Sequence, residues 1–228
     1  MRTGIICAGD REAAPLISMI ENATVAHKAM LAFHEGWLEG VPVVVLYSGV
    51  CKVNAAIAAQ ILIDEFGCSC IINAGTAGGM VNELQIFDTV VACEAVYHDV
   101  AEEILTEFHP WLESACFKAD PSLLELAHTT ARLMPPERRV VFGRMATGEQ
   151  FIEDEQRERI NTRFSPLTVD METAAIAHVC HVNQKPFLAV RTITDTPEHR
   201  GKGAFEQNCA TAAQLSAEFV KMMLRQSG

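Results

Sequence analysis

The sequence predicts an α/β fold: a single-domain three-layer sandwich in which a central, mixed but mostly parallel twisted β-sheet is flanked by helices. Three observations carry this expectation. Short β-rich apolar runs alternate with longer amphipathic stretches along the whole chain, and strands separated by helices imply a sheet covered on both faces. No internal repeat, low-complexity tract or linker-like shift in composition interrupts that pattern, so one domain over residues 1–228 is expected. With 49% apolar and 21% charged residues, the chain can build a sizeable single core and lies far from the composition of disorder.

The elements follow in order. GIICAG (4–9) reads as a strand and PLISMIENA (15–23) as a helix. VPVVVLYSGV (41–50) is a strand, NAAIAAQILIDEF (54–66) a helix, and CSCIINAG (68–75) a strand running into a glycine-rich turn. A further apolar run is TVVACEAVYH (89–98). SLLELAHTTARLM (122–134) is a helix opened by Asp120, Pro121 and Ser122. RRVVFGRMAT (138–147) is a strand, EDEQRERINTRF (153–164) a polar surface helix, and LTVDM (167–171) a short strand. TAAIAHVC (173–180) is a buried helix, KPFLAVRTIT (185–194) a strand, and residues 204–224 a long closing helix.

Charge and cysteine usage exclude several function classes. A net charge of −11 repels phosphate backbones and anionic lipid, so neither nucleic acid nor a membrane surface is an expected partner. The apolar run in MRTGIICAGDRE is too short for a signal peptide, and no apolar stretch approaches the roughly 20 residues of a membrane span. A cytoplasmic location is expected. The eight cysteines are scattered through apolar segments and are expected to be reduced and buried. Cys68, Cys70, Cys180 and His181 lack a CxxC pair, so no metal site is expected.

Ligands of such sheets bind beyond the carboxyl ends of the strands. Those positions carry Glu12, the GTAGG segment (75–79), residues 147–151, Glu172, and Thr194 with Asp195. Each has an ordinary structural reading beside the functional one. The glycine segment is neither a GxGxxG fingerprint nor a P-loop, and serves equally as ligand contact or bare turn. Glu12 suits the first turn of a helix, and Asp170 and Glu172 suit a helix start. Asp195 before Pro197 suits a turn, and Arg191 suits an internal ion pair. Phe151, near Gly148, suits either the core or stacking on a planar base. Glu172 carries more weight, because a carboxylate at the mouth of a buried helix needs a partner such as a ribose diol or an arginine.

Taken in order, these segments resemble the 5′-methylthioadenosine/S-adenosylhomocysteine nucleosidases of the nucleoside phosphorylase superfamily. The matching stretches are GII-A (4–8) with Glu12, SGV-KVNAA (48–56), IINAGTAGG (71–79), FKAD (117–120), TGEQFI (147–152), VDMETAAIAHVCH (169–181) and VRTITD (190–195). The resemblance implies a phosphorylase/hydrolase-like fold and hydrolysis of the adenine–ribose bond of 5′-modified adenosines, with no cofactor and no metal. It implies Glu12 as the base that activates water, Asp195 as the acid that protonates the purine at N7, and Glu172 as the anchor of the ribose hydroxyls. It further implies that Thr76 and Arg191 hold the water, with Thr76 keeping the hydroxyl of a familiar serine. Phe151 stacks on adenine while the Ile152 backbone reads its edge, and Met171 and Phe205 line the sugar and 5′ region. Val50, Gly78 and Thr194 complete the binding set.

The chemistry fits those roles. An N-glycosidic bond breaks through an oxocarbenium-like sugar, which calls for an acid at the base, a carboxylate for water on the opposite sugar face, and an anchor for the sugar. The first rival is a phosphorylase of the same fold. Such enzymes typically carry an arginine two residues before the first glycine of this turn, where this chain has Asn73. A non-catalytic nucleoside-binding protein is the second rival, and joint retention of Glu12, Glu172 and Asp195 speaks against it. The resemblance also implies a homodimer whose neighbouring subunit brings its 100–116 segment to the 5′ subsite. Here AEEILTEFHPWLESAC (101–116) departs from the family's aromatic and glycine-rich pattern: Phe108, Pro110 and Trp111 offer apolar cover while Glu102, Glu103 and Glu107 add charge. Cys7 and Gly9 also differ from the family's usual residues.

Overall fold

The structure is a computed structural model that describes residues 2–108, 112–152, 154–199 and 201–227, leaving aside the side chains of 154 and 155. Strands β1 (Thr3–Cys7), β4 (Val41–Tyr47), β5 (Cys70–Gly79) and β10 (Phe187–Asp195) form its parallel centre in the order β4-β1-β5-β10. Their near-continuous burial reflects helices on both faces of the sheet. One face is covered by α2 (Lys52–Asp64) and α6 (Thr173–Val182), whose small residues Ala55, Ala58, Ala174 and Ala175 join one core cluster. The other is covered by α1 (Asp10–Ser18), α4 (Pro121–Leu133) and α7 (Gly201–Arg225), with Leu16, Leu123 and Phe219 in a second cluster. This is the three-layer arrangement expected, with a mixed sheet.

Beyond the centre the sheet closes on itself. β6 (Thr89–Tyr97) pairs antiparallel with β10 and parallel with β8 (Val140–Thr147); β8 pairs parallel with β9 (Thr168–Asp170), which returns antiparallel to β5. The ring β10-β6-β8-β9-β5 therefore has no free edge between its members. A short strand β7 (Cys116–Lys118) is added on β6, and the helices α3 (Glu102–Phe108) and α5 (Asp154–Phe164) complete the chain. α4 begins as expected: Asp120 accepts the N–H groups of Ser122 and Leu123 at 3.0 Å, with Pro121 in the first position.

Three sequence expectations differ from the structure. The helix expected over 15–23 starts earlier and ends at Ser18, and the chain then forms an antiparallel extension, β2 (Glu21–Lys28) with β3 (Leu31–Leu38), on β4. β2 is exposed over nearly its whole length, so it offers no alternation to read. The GTAGG segment continues as strand β5 through Gly79 because β9 and β10 both pair with it there. All eight cysteines are free, but Cys51, Cys93 and Cys116 are only half-buried.

Candidate active site

A cavity of about 540 Å³ opens at the carboxyl ends of β1, β5, β9 and β10, and the twelve residues that the resemblance assigns to the site line it, whereas Gly75, Gly79 and residues 147–149 do not. Glu12 enters from the first turn of α1 and is buried. Its Oε2 accepts the N–H groups of Ala8 and Gly9 at 2.8 and 3.0 Å, and its Oε1 accepts the N–H and hydroxyl of Thr76 at 2.6 and 2.8 Å. Four donors from two elements thus fix one carboxyl. The approach requires glycine at 75, where φ is +151° and a Cβ would stand 2.6 Å from Glu12 Oε1. The Gly75 N–H is taken by the Ser216 hydroxyl of α7.

Asp195 closes β10. The pairing with β5 shifts between Ile193 and Asp195, a bulge that sets Asp195 opposite Gly78. There a Cβ would come within 3.2 Å of Asp195 Oδ2, so glycine makes room for the acid. Thr194 donates its hydroxyl to Oδ1 at 3.0 Å. Burial raises the proton affinity of Asp195 above that of an ordinary aspartate, with the Thr194 hydrogen bond and Arg157 pulling the other way. Glu12 packs at Gly75 and Thr76, and Asp195 at Gly78. Two to three residues of strand separate these points, which at about 3.3 Å per residue puts the two carboxyls about 7–10 Å apart along β5.

Arg191 ties the floor together. It is 1% exposed; its Nη2 donates to Glu172 Oε2 at 3.1 Å and Asn73 Oδ1 at 2.9 Å, and its Nη1 to the Thr76 carbonyl at 3.1 Å. It also lies 3.7 Å from both Glu12 and Asp170. Burial disfavours its charge, but Asp170, Glu172 and Glu12 together outweigh that and raise its pKa. Glu172, the residue before α6, takes a second bond from the Cys51 N–H at 3.0 Å, aimed by a positive φ of 84° at Cys51. Burial pushes the Glu172 carboxyl well above the usual range; Arg191 opposes this, and Asp170 and Glu12 add to it.

Several of these residues also make the ordinary structural contacts that the sequence suggests. Asp170 does cap chemistry, its Oδ1 accepting the N–H groups of Glu172 and Thr173 and the Thr147 hydroxyl. Arg191 makes the internal ion pair. Phe151 meets Phe205 edge to face, centroids 6.3 Å apart at 75°, over the cavity. Asn73, fully buried, binds the Ile6 carbonyl, Thr173 and Arg191 from beneath the cavity. Sequence reasoning missed Arg157, because a helix of EDEQRERINTRF composition reads as solvated. It also missed Lys202, Glu206 and Cys209 on α7, which nothing local marks as cavity-lining. Among the described residues no group of His, Cys, Asp and Glu is arranged to hold a metal ion. Pro110 and Trp111 lie outside the described residues, and Phe108 is exposed at the end of α3.

Comparisons with known proteins agree with this architecture. The sequence matches the family described as the phosphorylase superfamily over residues 2–225. It is 36% identical to the 5′-methylthioadenosine/S-adenosylhomocysteine nucleosidase of Anoxybacillus flavithermus over 99% of both chains. The solved 5′-methylthioadenosine/S-adenosylhomocysteine nucleosidase of Neisseria meningitidis, in complex with methylthio-immucillin-A, superposes with a TM-score of 0.91 at 32% identity over 99% of each chain. Futalosine hydrolase of Helicobacter pylori has the same fold, with a TM-score of 0.88 at 28% identity over 99% of this chain and 98% of that one. The chain belongs to the phosphorylase superfamily and, within it, to the 5′-methylthioadenosine/S-adenosylhomocysteine nucleosidase family.

Proposed function

We propose that this chain hydrolyses the N-glycosidic bond of 5′-modified adenosines such as methylthioadenosine, adenosylhomocysteine and 5′-deoxyadenosine, releasing adenine and the free sugar. The observation that carries the reading is the pair of buried carboxyls, Glu12 from α1 and Asp195 from β10, that line one cavity and pack against the same strand β5. Their offset of about 7–10 Å along β5 is compatible with the room that inverting glycosidases leave for a water between acid and base. Asp195, whose hold on a proton burial strengthens, hands that proton to N7 as the C1′–N9 bonding pair leaves with the purine. Glu172 accepts the ribose hydroxyls beside Met171. Water held near Thr76 and Arg191 gives a proton to Glu12 and its oxygen to C1′. Phe151 and Phe205 supply apolar faces for the base and the sugar end.

Phosphorolysis is disfavoured by two contacts. Asn73 is committed beneath the floor, and Arg191 is already engaged by carboxylates rather than presented to an anion. The test is adenine release from methylthioadenosine in phosphate-free buffer, with Glu12→Gln and Asp195→Asn alongside. Turnover without phosphate is expected, and each variant loses on the order of 10²-fold or more in kcat with KM little changed, since both groups act in the transition state. A requirement for phosphate with ribose 1-phosphate as product, or normal turnover by both variants, contradicts the reading.

A homodimer is the working unit in this proposal. Val50, Val53 and Ile57 leave an exposed apolar stripe along the start of α2 beside the cavity mouth, and Ile104 and Phe108 expose another on α3. No helix among the described residues is long and apolar enough to cross a membrane. A cytoplasmic role in methionine salvage is the setting this activity suits.

A further inference from the structure

One buried arginine has no part in the mechanism above. Arg157 lies in the first half of α5, where the other charged side chains among the described residues, Glu158, Arg159 and Arg163, face solvent. Arginines on such helices ordinarily run their guanidinium out to water. This side chain turns inward and is 9% exposed. Its Nη1 donates to the carbonyl of Gly79, at the end of β5, and stands 3.6 Å from Met80 Sδ. Its Nη2 lies 3.8 Å from Asp195 Oδ2.

We infer that Arg157 is a positioning residue for Asp195: tethered to the Gly79 carbonyl, it holds a fixed positive charge against Oδ2 and stabilises the carboxylate that remains once the proton has passed to the purine. The inference rests on the reading of Asp195 as the proton donor. In that step the Asp195 O–H bond breaks, an N7–H bond forms, and the C1′–N9 pair leaves with adenine. A new negative charge then sits on a side chain that is 4% exposed, where water cannot solvate it. Burial alone would make the acid reluctant to give up its proton, and a neighbouring cation restores acid strength.

Among the described residues, the surroundings of Asp195 offer no equivalent partner. β10 contributes the Thr194 hydroxyl, β5 the Gly78 and Gly79 backbone, and β9 the apolar Val169. α7 contributes Asn208, bonded to the Thr194 carbonyl, and brings Lys202 and Glu206, both exposed, to the cavity rim. Arg191, on the same strand, is engaged with Glu172, Glu12 and Asp170.

The experiment is the pH dependence of kcat for adenine release from methylthioadenosine by wild type, Arg157→Met, Arg157→Gln and Arg157→Lys, with thermal unfolding of each. The alkaline limb reports loss of the proton on the acid in the bound complex. Removing the cation in the Met and Gln variants is expected to move that limb upward by about one pH unit and to lower kcat at the optimum about tenfold, with KM within about threefold. Arg157→Lys keeps the charge and is expected to return most of the limb position. A purely structural role would lower Tm and leave the limb where it is. The inference is overturned if the limb stays in place in both Met and Gln variants, or if the Lys variant shifts as far as they do. Should Arg157→Met fail to fold, the Gln and Lys pair decides. Asp195→Asn separates the two levels: wild-type turnover by that variant removes the donor itself, whereas its inactivity alongside unmoved limbs in the Arg157 series removes only the present inference.

Discussion

Replacing Gly75 by alanine tests whether the position of the Glu12 carboxyl, rather than its mere presence, sets the rate. The added Cβ would stand 2.6 Å from Oε1, 2.8 Å from Cδ and 3.0 Å from Oε2. Relief to an ordinary contact of 3.4 Å moves the carboxyl by at least about 0.8 Å. That shift stretches the two bonds from Thr76, which are 2.6 and 2.8 Å long. Misplacement of a reacting group by about 1 Å costs on the order of 10²-fold in rate. The backbone adds its own penalty, because φ at +151° is glycine territory; about 1–3 kcal/mol of strain lowers Tm by about 3–9 °C for a chain of this size. The assay is initial-rate adenine release at saturating methylthioadenosine, taken well below the variant's Tm, with adenine affinity measured by calorimetry. The expected result is a kcat about 100-fold down with adenine affinity within about threefold. A folded Gly75→Ala protein with kcat within about threefold of wild type would falsify the claim that Gly75 positions the base.

Two further outcomes follow from the same contacts. Thr76→Val removes the hydroxyl that donates to Glu12 at 2.8 Å while keeping the shape, and kcat should fall about 10- to 100-fold, with Thr76→Ser restoring most of it. Stability should also depend on pH in a set direction. Glu172 and Asp195 hold their protons more tightly folded than unfolded, so their contribution is complete below the unfolded carboxylate range near 4 and is lost as pH rises through their raised folded values. Melting curves of the ligand-free protein should decline from acidic toward neutral pH, and the Glu172→Gln/Asp195→Asn double variant should show a shallower slope; an unchanged slope contradicts the assignment of those proton affinities.

The sequence carried the centre of the fold because β1, β4, β5 and β10 are buried on both sides and read as uninterrupted apolar runs. It did not carry β2 and β3, since a strand with both faces in water, such as β2, looks like any polar segment. The length of β5 was hidden as well. Glycines at 75, 78 and 79 signal a turn locally, and only pairing with β9 and β10, both distant in sequence, keeps the chain extended there. Candidate site residues were legible where an acid or ring closes an apolar run, as with Asp195 after FLAVRTIT, and their meeting in one cavity follows from the parallel strands that carry them. Arg157 was illegible for the opposite reason: its neighbours are charged and exposed, and only the fold shows which way its side chain turns.

Three carboxyl groups, on Glu12, Asp170 and Glu172, surround the single guanidinium of Arg191, so the floor of the cavity is short of positive charge. The tight hold of Glu172 on its proton is one symptom of that deficit. A sugar ring that turns cationic as its base departs would supply the missing charge at the moment it is most needed. Molecules bearing a permanent cation where C1′ lies should therefore be held far more firmly than any neutral nucleoside.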